Sequence, residues 1–292
     1  MEKAWRDNTF VKPQLKMIAS TAIFGTLSLF IRHIPLTSAE VALFRAAVGL
    51  GCILAAKGLA KKGLPIKSMG REGLLLCLSG AAMGFNWIFL FEAYKYTTVS
   101  VATLSYYFAP VIVMVACPLL FGERMTKKQL ICSVGSTLGL VLVVNPGGLT
   151  EGGDPLRGML FGLAAAALYA TVILLNKRLT RVSGIDRTVL QFGAAAAVLL
   201  PYILLTTGFH FERMDAPGWL CLLAVCLIHS ALAYILYFSA LRELPGQEAA
   251  VLSYIDQLVA VLISLTVLAE PVAPVQLVGG AMILAFTLAN EL

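Results

Sequence analysis

Charged residues are scarce in this sequence of 292 residues. Aspartate, glutamate, lysine and arginine make up 13% of the chain, and hydrophobic residues make up 59%. A soluble domain carries about twice that share of charge, so a soluble globular fold is excluded. Runs of about 20 apolar residues can each cross a bilayer, and they do so as helices because lipid offers the backbone no hydrogen bonds. The sequence therefore predicts an all-α integral membrane protein.

Sequence patterns of common catalytic and metal sites are missing as well. The chain has no G-x-x-x-x-G-K phosphate loop, no H-E-x-x-H zinc motif and no nucleophile elbow. Its six cysteines lie in apolar runs, and none of them belongs to a C-x-x-C pair. We therefore predict a protein that is not an enzyme and that holds no cofactor and no metal. A membrane-embedded enzyme and a sensor that does not transport are the alternatives.

What the sequence does contain is a repeated apolar segment. Residues 91–130 align without a gap with residues 238–277, at an offset of 147 residues. Seven of the 40 aligned positions are identical, including the pair Tyr107 and Tyr254 and the pair Glu123 and Glu270. Two apolar runs, the polar break between them and the closing acid recur in register. This pattern is typical of a duplicated membrane module.

The apolar runs predict ten membrane-spanning helices, five in each half of the chain. The ten predicted spans are Leu15–Ile34, 37–56, Glu72–Tyr94, Thr98–Phe121, Gln129–Val144, Gly158–Asn176, Thr188–Gly208, Pro217–Leu241, Gly246–Leu268 and Val272–Asn290. A glycine-rich linker at 147–157 is predicted to join a first repeat at 1–146 to a second at 158–292. Because each repeat has an odd number of spans, the second enters the membrane from the opposite side, and the two repeats are inverted.

Lysine and arginine are distributed unevenly over the two sides of the membrane. Seventeen of the 22 lie on the side of the N-terminus, four lie on the other side, and Arg45 lies within the second span. An excess of positive charge marks the cytoplasmic side, so we predict a multi-pass protein of the plasma membrane with both termini in the cytoplasm. The net charge of +6 is explained by this asymmetry and by contact with anionic lipid, and no nucleic-acid partner is expected.

A set of short motifs in fixed order carries a family resemblance. They are Gly25-Thr26 in the first span, Arg45 in the second, Asn86-Trp87 and Phe91-Glu92-Ala93 in the third, Ala102 to Pro110 in the fourth, and the Glu-x5-Gln-Leu closures at Glu123 and Glu270. With these motifs the whole chain resembles the drug/metabolite transporter superfamily, specifically its EamA type. The resemblance implies a secondary transporter that exports small organic metabolites or drugs by alternating access. One departure is Gln257, where the family usually carries proline.

The resemblance also implies a central cavity between the repeats, lined chiefly by spans 1, 3, 4, 6, 8 and 9. Aromatic and amide side chains gather at mid-depth in the predicted spans and would suit small amphipathic solutes. The candidate substrate-binding residues are Phe24, Asn86, Trp87, Tyr106, Tyr107, Tyr169, His229, Tyr234, Tyr254 and Gln257. For each of them singly, packing between helices with interhelical hydrogen bonds is the alternative.

Three ionisable residues are predicted within lipid depth, where a charge costs about 2.5–3.5 kcal/mol. Asp256 is interpreted either as a proton or cation site or as a structural partner of Arg45 or of nearby hydroxyl groups. Arg45 is interpreted either as one member of a structural pair or as an anion site, and His229 either as a packing residue or as a proton relay. All three are candidates for proton coupling. Facilitated diffusion is the alternative mechanism, and a homodimer is left open.

The closing acids, Glu123 and Glu270, lie just beyond the ends of the fourth and ninth spans. A carboxylate there can accept hydrogen bonds from the N-terminal amides of a helix. We therefore predict that each acid caps the next helix along the chain and stabilises the fold.

Overall fold

The computed structural model describes residues 12–59, 72–121, 126–143, 154–178, 184–241, 243–244, 252–253, 255–270 and 272–291, and every regular element in these ranges is helical. The helices of the first half are α1 (Pro13–Gly25), α2 (Leu27–Ile31), α3 (Ser38–Leu59), α4 (Glu72–Tyr96), α5 (Val99–Tyr106), α6 (Ala109–Phe121) and α7 (Lys127–Val143). Those of the second half are α8 (Pro155–Lys177), α9 (Gly184–Thr206), α10 (Ala216–Ala224), α11 (Ala233–Leu241), α12 (Ile255–Thr266) and α13 (Pro274–Glu291). A 3₁₀ turn at Phe211–Arg213 precedes α10, and a π-helix at Val225–Leu232 joins α10 to α11.

Seven segments of the described chain are long and apolar enough to cross a membrane. They are Pro13–Ile31, Ser38–Ala55, Glu72–Tyr96, Val99–Cys117, Pro155–Asn176, Ile185–Thr206 and Ala216–Tyr237. The apolar parts of α12 and α13 are shorter, and α7 has 17 residues. The all-α membrane fold predicted from the sequence is confirmed, and the count of ten spans stays a prediction.

Polar side chains at the helix starts explain where several helices begin. Thr98, Asp154 and Asp215 each accept a hydrogen bond from the backbone N–H three residues later, which satisfies an amide that has no partner within the helix. At the start of α3, the Thr37 hydroxyl accepts from the Glu40 N–H, and the Glu40 carboxylate accepts from the Thr37 N–H at 2.8 Å. This reciprocal arrangement is a capping box.

Helix packing recurs when the two halves of the chain are exchanged. Helix α4 packs on α8, and α11 packs on α1 in the same relation. Helix α9 of the second half packs on α4 of the first, and in the same relation α3 of the first half packs on the π-helix of the second. Helix α12 packs on α1, and in the same relation α5 and α6 pack on α8. Helix α7 packs on α13. Each of these pairings joins helices of different halves, so the two halves share an extensive packed interface.

The start of the last helix in each half repeats in atomic detail. The Gln129 amide oxygen accepts a hydrogen bond from the Thr126 N–H at 2.8 Å, and the Gln276 amide oxygen accepts one from the Ala273 N–H at 3.0 Å. Donor and acceptor are both displaced by the offset of 147 residues that relates the two repeated segments. The glutamine of the Glu-x5-Gln-Leu motif therefore caps the helix in whose first turn it lies.

Candidate functional site

Three of the spans around the predicted cavity are irregular near mid-depth. Thr26 separates α1 from α2, Tyr107 and Phe108 separate α5 from α6, and the π-helix Val225–Leu232 interrupts the eighth span. The second break has a local cause, because Pro110 has no N–H to donate to the preceding turn. Irregular backbone at membrane depth is found where it is buried in protein or lines a cavity, and π-helices occur frequently at functional sites.

The first break meets the π-helix through Thr26 and His229. The Thr26 hydroxyl lies 3.0 Å from His229 Nε2 and also donates to the Ile23 carbonyl. The other ring nitrogen, Nδ1, lies 3.4 Å from the Ala224 carbonyl oxygen, and the tautomer of the imidazole sets which nitrogen donates. The ring is 1% exposed, and Phe30 packs edge-on against it. His229 is therefore a buried packing residue whose ring nitrogen has a hydrogen-bond partner.

Arg45 is held by the π-helix and by two aromatic rings. Its Nε donates to the Ser230 hydroxyl at 3.1 Å, and its guanidinium carbon lies 4.7 Å from the centre of the Trp87 ring and 5.9 Å from that of Phe91. Aromatic faces attract a guanidinium group and compensate part of the cost of burying it. The side chain is 3% exposed, and no ion pair joins it to Asp256.

Asp256 lies in the first turn of α12 and is half-buried. The Tyr107 hydroxyl, at the break between α5 and α6, donates a hydrogen bond to its Oδ1. The sequence had left open whether Arg45 or a hydroxyl group holds this carboxylate, and the structure selects the hydroxyl. Among the described residues, the hydroxyls of Tyr94, Tyr106, Tyr169 and Tyr237 also interact electrostatically with Asp256.

Aromatic rings from four helices surround the region next to Asp256. Tyr106 of α5 lies 5.5 Å from Tyr169 of α8, measured between ring centres. Phe24 of α1 lies 5.1 Å from Tyr234 and 6.4 Å from Tyr237, both on α11. All five rings are half-buried except Tyr169, which is 38% exposed although it lies in the middle of a span. The rings therefore border accessible space.

Three of the remaining predicted site residues are buried. Asn86 is buried and donates to the Ala165 carbonyl at 2.6 Å, which ties α4 to α8. Trp87 is buried between Arg45 and Phe192. Gln257 is 2% exposed, and its Oε1 has no hydrogen-bond partner among the described residues. Tyr254 lies outside the described residues.

Tyr237 and Ser230, which the sequence places in one stripe with Tyr234, were not among the candidate substrate-binding residues. Both share a helix face with Tyr234, at spacings of three and four residues. That spacing was a usable signal. The partner that gives each residue its role, Phe24 in one case and Arg45 in the other, comes from the other half of the chain.

Comparison with known proteins identifies the family. The profile of the EamA-like transporter family matches residues 12–145 and 156–290. The chain belongs to the EamA-like transporter family. An "Uncharacterized transporter YxxF" of Bacillus subtilis is 28% identical to it over 253 residues, which is 85% of this chain and 79% of the relative. An "Uncharacterized transporter" of Archaeoglobus fulgidus is 29% identical over 273 residues, which is 92% of each chain.

A solved crystal structure also superposes on this EamA-like chain. The TM-score is 0.66 over 95% of this chain and 96% of the other, at 18% identity. At that identity the likeness shows the fold alone. The family resemblance predicted from the sequence is thus confirmed, and the protein is a multi-pass membrane protein of a transporter family.

Glu270 ties together three helix ends of this EamA-like fold at the far side, by which we mean the face opposite the start of α1. Its carboxylate accepts from the Val99 N–H at 2.8 Å and from the Ser264 hydroxyl, and it forms an ion pair with Arg32. Its side chain is 8% exposed. The prediction that Glu270 caps the next helix is wrong, because Gln276 already caps that helix and Glu270 is free to reach the start of α5. Glu123 lies outside the described residues.

A second carboxylate closes the far side between α3 and the loop after α9. Glu40 is fully buried, and besides Thr37 it accepts a hydrogen bond from the His210 N–H at 2.7 Å. The His210 ring nitrogen Nδ1 lies 3.4 Å from the same carboxylate. The helix ends on this side are therefore connected by two separate buried acids.

Proposed function

We propose that this EamA-like protein is a secondary transporter that exports a small organic solute by alternating access. The observation that carries the proposal is the group of aromatic rings around the half-buried Asp256, of which Tyr169 is 38% exposed, placed where interrupted spans meet the interface between the halves. The aromatic rings supply apolar contact area, and the carboxylate and hydroxyl groups supply a few polar anchors. This combination is common in binding sites for small molecules.

Alternating access follows from treating residues 1–146 and 158–292 as two inverted five-helix repeats. The helix packing supports the two repeats, because the same pairings recur when the halves are exchanged. Two related halves can exchange their conformations, and this exchange opens the central site first to one side of the membrane and then to the other. The bonds that Glu270 and Glu40 make on the far side support a closed far side in the present conformation. These bonds would have to break when the far side opens.

Transport is tested by counterflow in proteoliposomes without added nucleotide or cofactor. Vesicles preloaded with unlabelled solute should accumulate labelled solute transiently, since a transporter exchanges the two through one site. A membrane-embedded enzyme would change the solute chemically, and a sensor would bind it without exchange. Absence of counterflow for every solute that binds would overturn the transport proposal.

We also propose that both termini lie in the cytoplasm, since 17 of the 22 basic residues lie on their side. In a cysteine-free background, a Ser68→Cys variant, at a position between α3 and α4 in the sequence, should resist a membrane-impermeant maleimide in intact cells. The same reagent should label it after the cells are permeabilised. A cysteine in place of Arg213, in the 3₁₀ turn at the far side, should be labelled in intact cells. Labelling of residue 68 from outside would contradict the orientation.

The Glu270→Gln variant is expected to unfold at a temperature lower by about 3 °C or more, because it loses the ion pair with Arg32 and leaves that cation unpaired. Solute affinity should stay within about twofold, since Glu270 lies at a helix end and away from the aromatic rings. The matched control is Glu92→Gln, which removes an exposed ion pair with Lys95 that is worth little. A variant that loses affinity but keeps its unfolding temperature would contradict a structural role.

A further inference from the structure

Two opposite charges lie in the interior, and they differ in accessibility. Arg45 is 3% exposed and is covered by Trp87, Phe91 and Ser230. Asp256 is half-buried, and Tyr169, a ring of the same aromatic group, is 38% exposed. A solute that enters the aromatic region therefore meets the carboxylate, while the guanidinium is enclosed by protein.

The Asp256 carboxylate is incompletely satisfied by the protein. Tyr107, a neutral donor, bonds to Oδ1, and the backbone N–H of Gln257 is a second neutral donor to the carboxylate. No lysine, arginine or histidine among the described residues forms an ion pair with Asp256. An ionised carboxylate offers about four acceptor positions on its two oxygens, so Oδ2 retains the capacity to accept from a charged donor. A buried charge is stable only when it is paired, which makes a cationic ligand the natural complement.

The rings around Asp256 favour the same sign of charge. Tyrosine and phenylalanine faces carry negative electrostatic potential and attract ammonium groups within about 6 Å of the ring centre. Tyr106, Tyr169, Tyr234, Tyr237 and Phe24 all contribute rings to this region. An anionic solute would be repelled both by the carboxylate and by the ring faces.

We propose that the transported solute is an organic amine: a protonated ammonium group attached to an apolar or aromatic body. The ammonium group donates to Asp256 and lies against the exposed ring of Tyr169, and the apolar body packs against Phe24 and the α11 tyrosines. This inference rests on the proposed transport function and adds the charge of the solute to it.

The test uses probes that share one body and differ only in charge. Tryptamine, tryptophol and indole-3-propionate carry an ammonium, a hydroxyl and a carboxylate on the same indole ring, and phenyl and hexyl series repeat the comparison. With purified protein in nanodiscs at neutral pH, the amine of at least one series should bind about tenfold more tightly than its neutral and anionic counterparts. Equal affinities in all series, tighter binding of a carboxylate, or no binding by any amine would overturn the proposal.

Variants connect the preference to the carboxylate. Asp256→Asn should reduce the preference for the amine to about twofold or less, while Asp256→Glu, which keeps the charge, should retain it. The matched control is Asp215→Asn at the start of α10, where asparagine caps a helix as well as aspartate does. An amine preference that survives Asp256→Asn in folded protein would overturn the assignment. If Asp256→Asn does not fold, the amine preference of Asp256→Glu decides, and its loss overturns the proposal.

The counterflow measurement separates the two proposals. If amines bind with the expected preference but no solute exchanges, the transport function is wrong and the charge assignment stands. If neutral or anionic solutes exchange and amines do not, transport stands and the amine assignment is wrong.

Discussion

Solute flux through an Asp256→Asn variant in proteoliposomes is expected to be independent of a pH gradient, whereas flux through the unmutated protein should rise about tenfold when a gradient is imposed. We propose that Asp256 binds and releases one proton in each transport cycle, because it is a half-buried acid at mid-depth and its side-chain partner is the neutral Tyr107 hydroxyl. Asparagine keeps the size of the side chain and a hydrogen-bonding oxygen but cannot take up a proton.

The groups facing Asp256 make this a clean test. In the part of the chain that the structure describes, the titratable side chains that interact with Asp256 are tyrosines of α4, α5, α8 and α11 and Tyr107 at the break before α6. Tyrosine hydroxyls are ordinarily neutral at physiological pH. His229 bonds with Thr26, and Arg45 bonds with Ser230. Neither has a hydrogen bond or ion pair with Asp256, so removal of the acid should abolish the response to pH without disturbing those contacts.

Asp215→Asn serves as the control again, since it makes the same chemical change at a helix cap and should keep the full response to the gradient. An unmutated protein whose flux ignores a pH gradient would contradict proton coupling and support facilitated diffusion. A response that persists in Asp256→Asn would move the coupling site to another residue.

Gly25→Ala is expected to destabilise the protein strongly, by about 1–3 kcal/mol or more, because it overpacks the contact between α1 and α12. A Cβ atom added at Gly25 would lie 2.4 Å from the Asp256 carbonyl oxygen and 2.7 Å from the Val259 Cβ. Backbone cannot yield as a flexible side chain does, so the two helices must separate. That movement displaces Asp256 itself, and we expect solute affinity to fall together with stability.

The control for this change is Gly51→Ala on α3. A Cβ atom added there meets nothing within 4 Å, and alanine favours a helix over glycine by about 1 kcal/mol. Thermal unfolding in one detergent should therefore give a lower midpoint for Gly25→Ala and an unchanged or higher midpoint for Gly51→Ala. Equal midpoints for the two variants would contradict the close approach of α1 and α12.

The helical membrane fold could be predicted because it depends on local properties of the chain. Low charge and long apolar runs require spanning helices, whatever those helices pack against. The break at Tyr107 and Phe108 within the predicted fourth span was not predicted, although Pro110, which lacks a backbone N–H, is a local signal for it. The break at Thr26 and the π-helix around His229 have no comparable sequence signal, since neither contains proline.

The candidate site was predicted in composition but not in its pairings. Depth along each span indicated Asp256, Arg45 and His229, and the structure buries all three to some extent. Their partners were not predictable, because the same depth is shared by residues of many spans. Glu270 shows the same limit: its position after a span indicated a helix cap, and the helix that it caps belongs to the other half.

By itself, the sequence determined that this protein is a duplicated helical membrane protein, because hydrophobicity, charge distribution and an internal offset are properties of the chain before it folds. Only the tertiary structure decided which polar groups meet. Arg45 and Ser230 are 185 residues apart, Val99 and Glu270 are 171 apart, and Tyr107 and Asp256 are 149 apart. In a membrane, apolar helix faces pack with little mutual preference, so small residues and buried hydrogen bonds between distant segments select the partners.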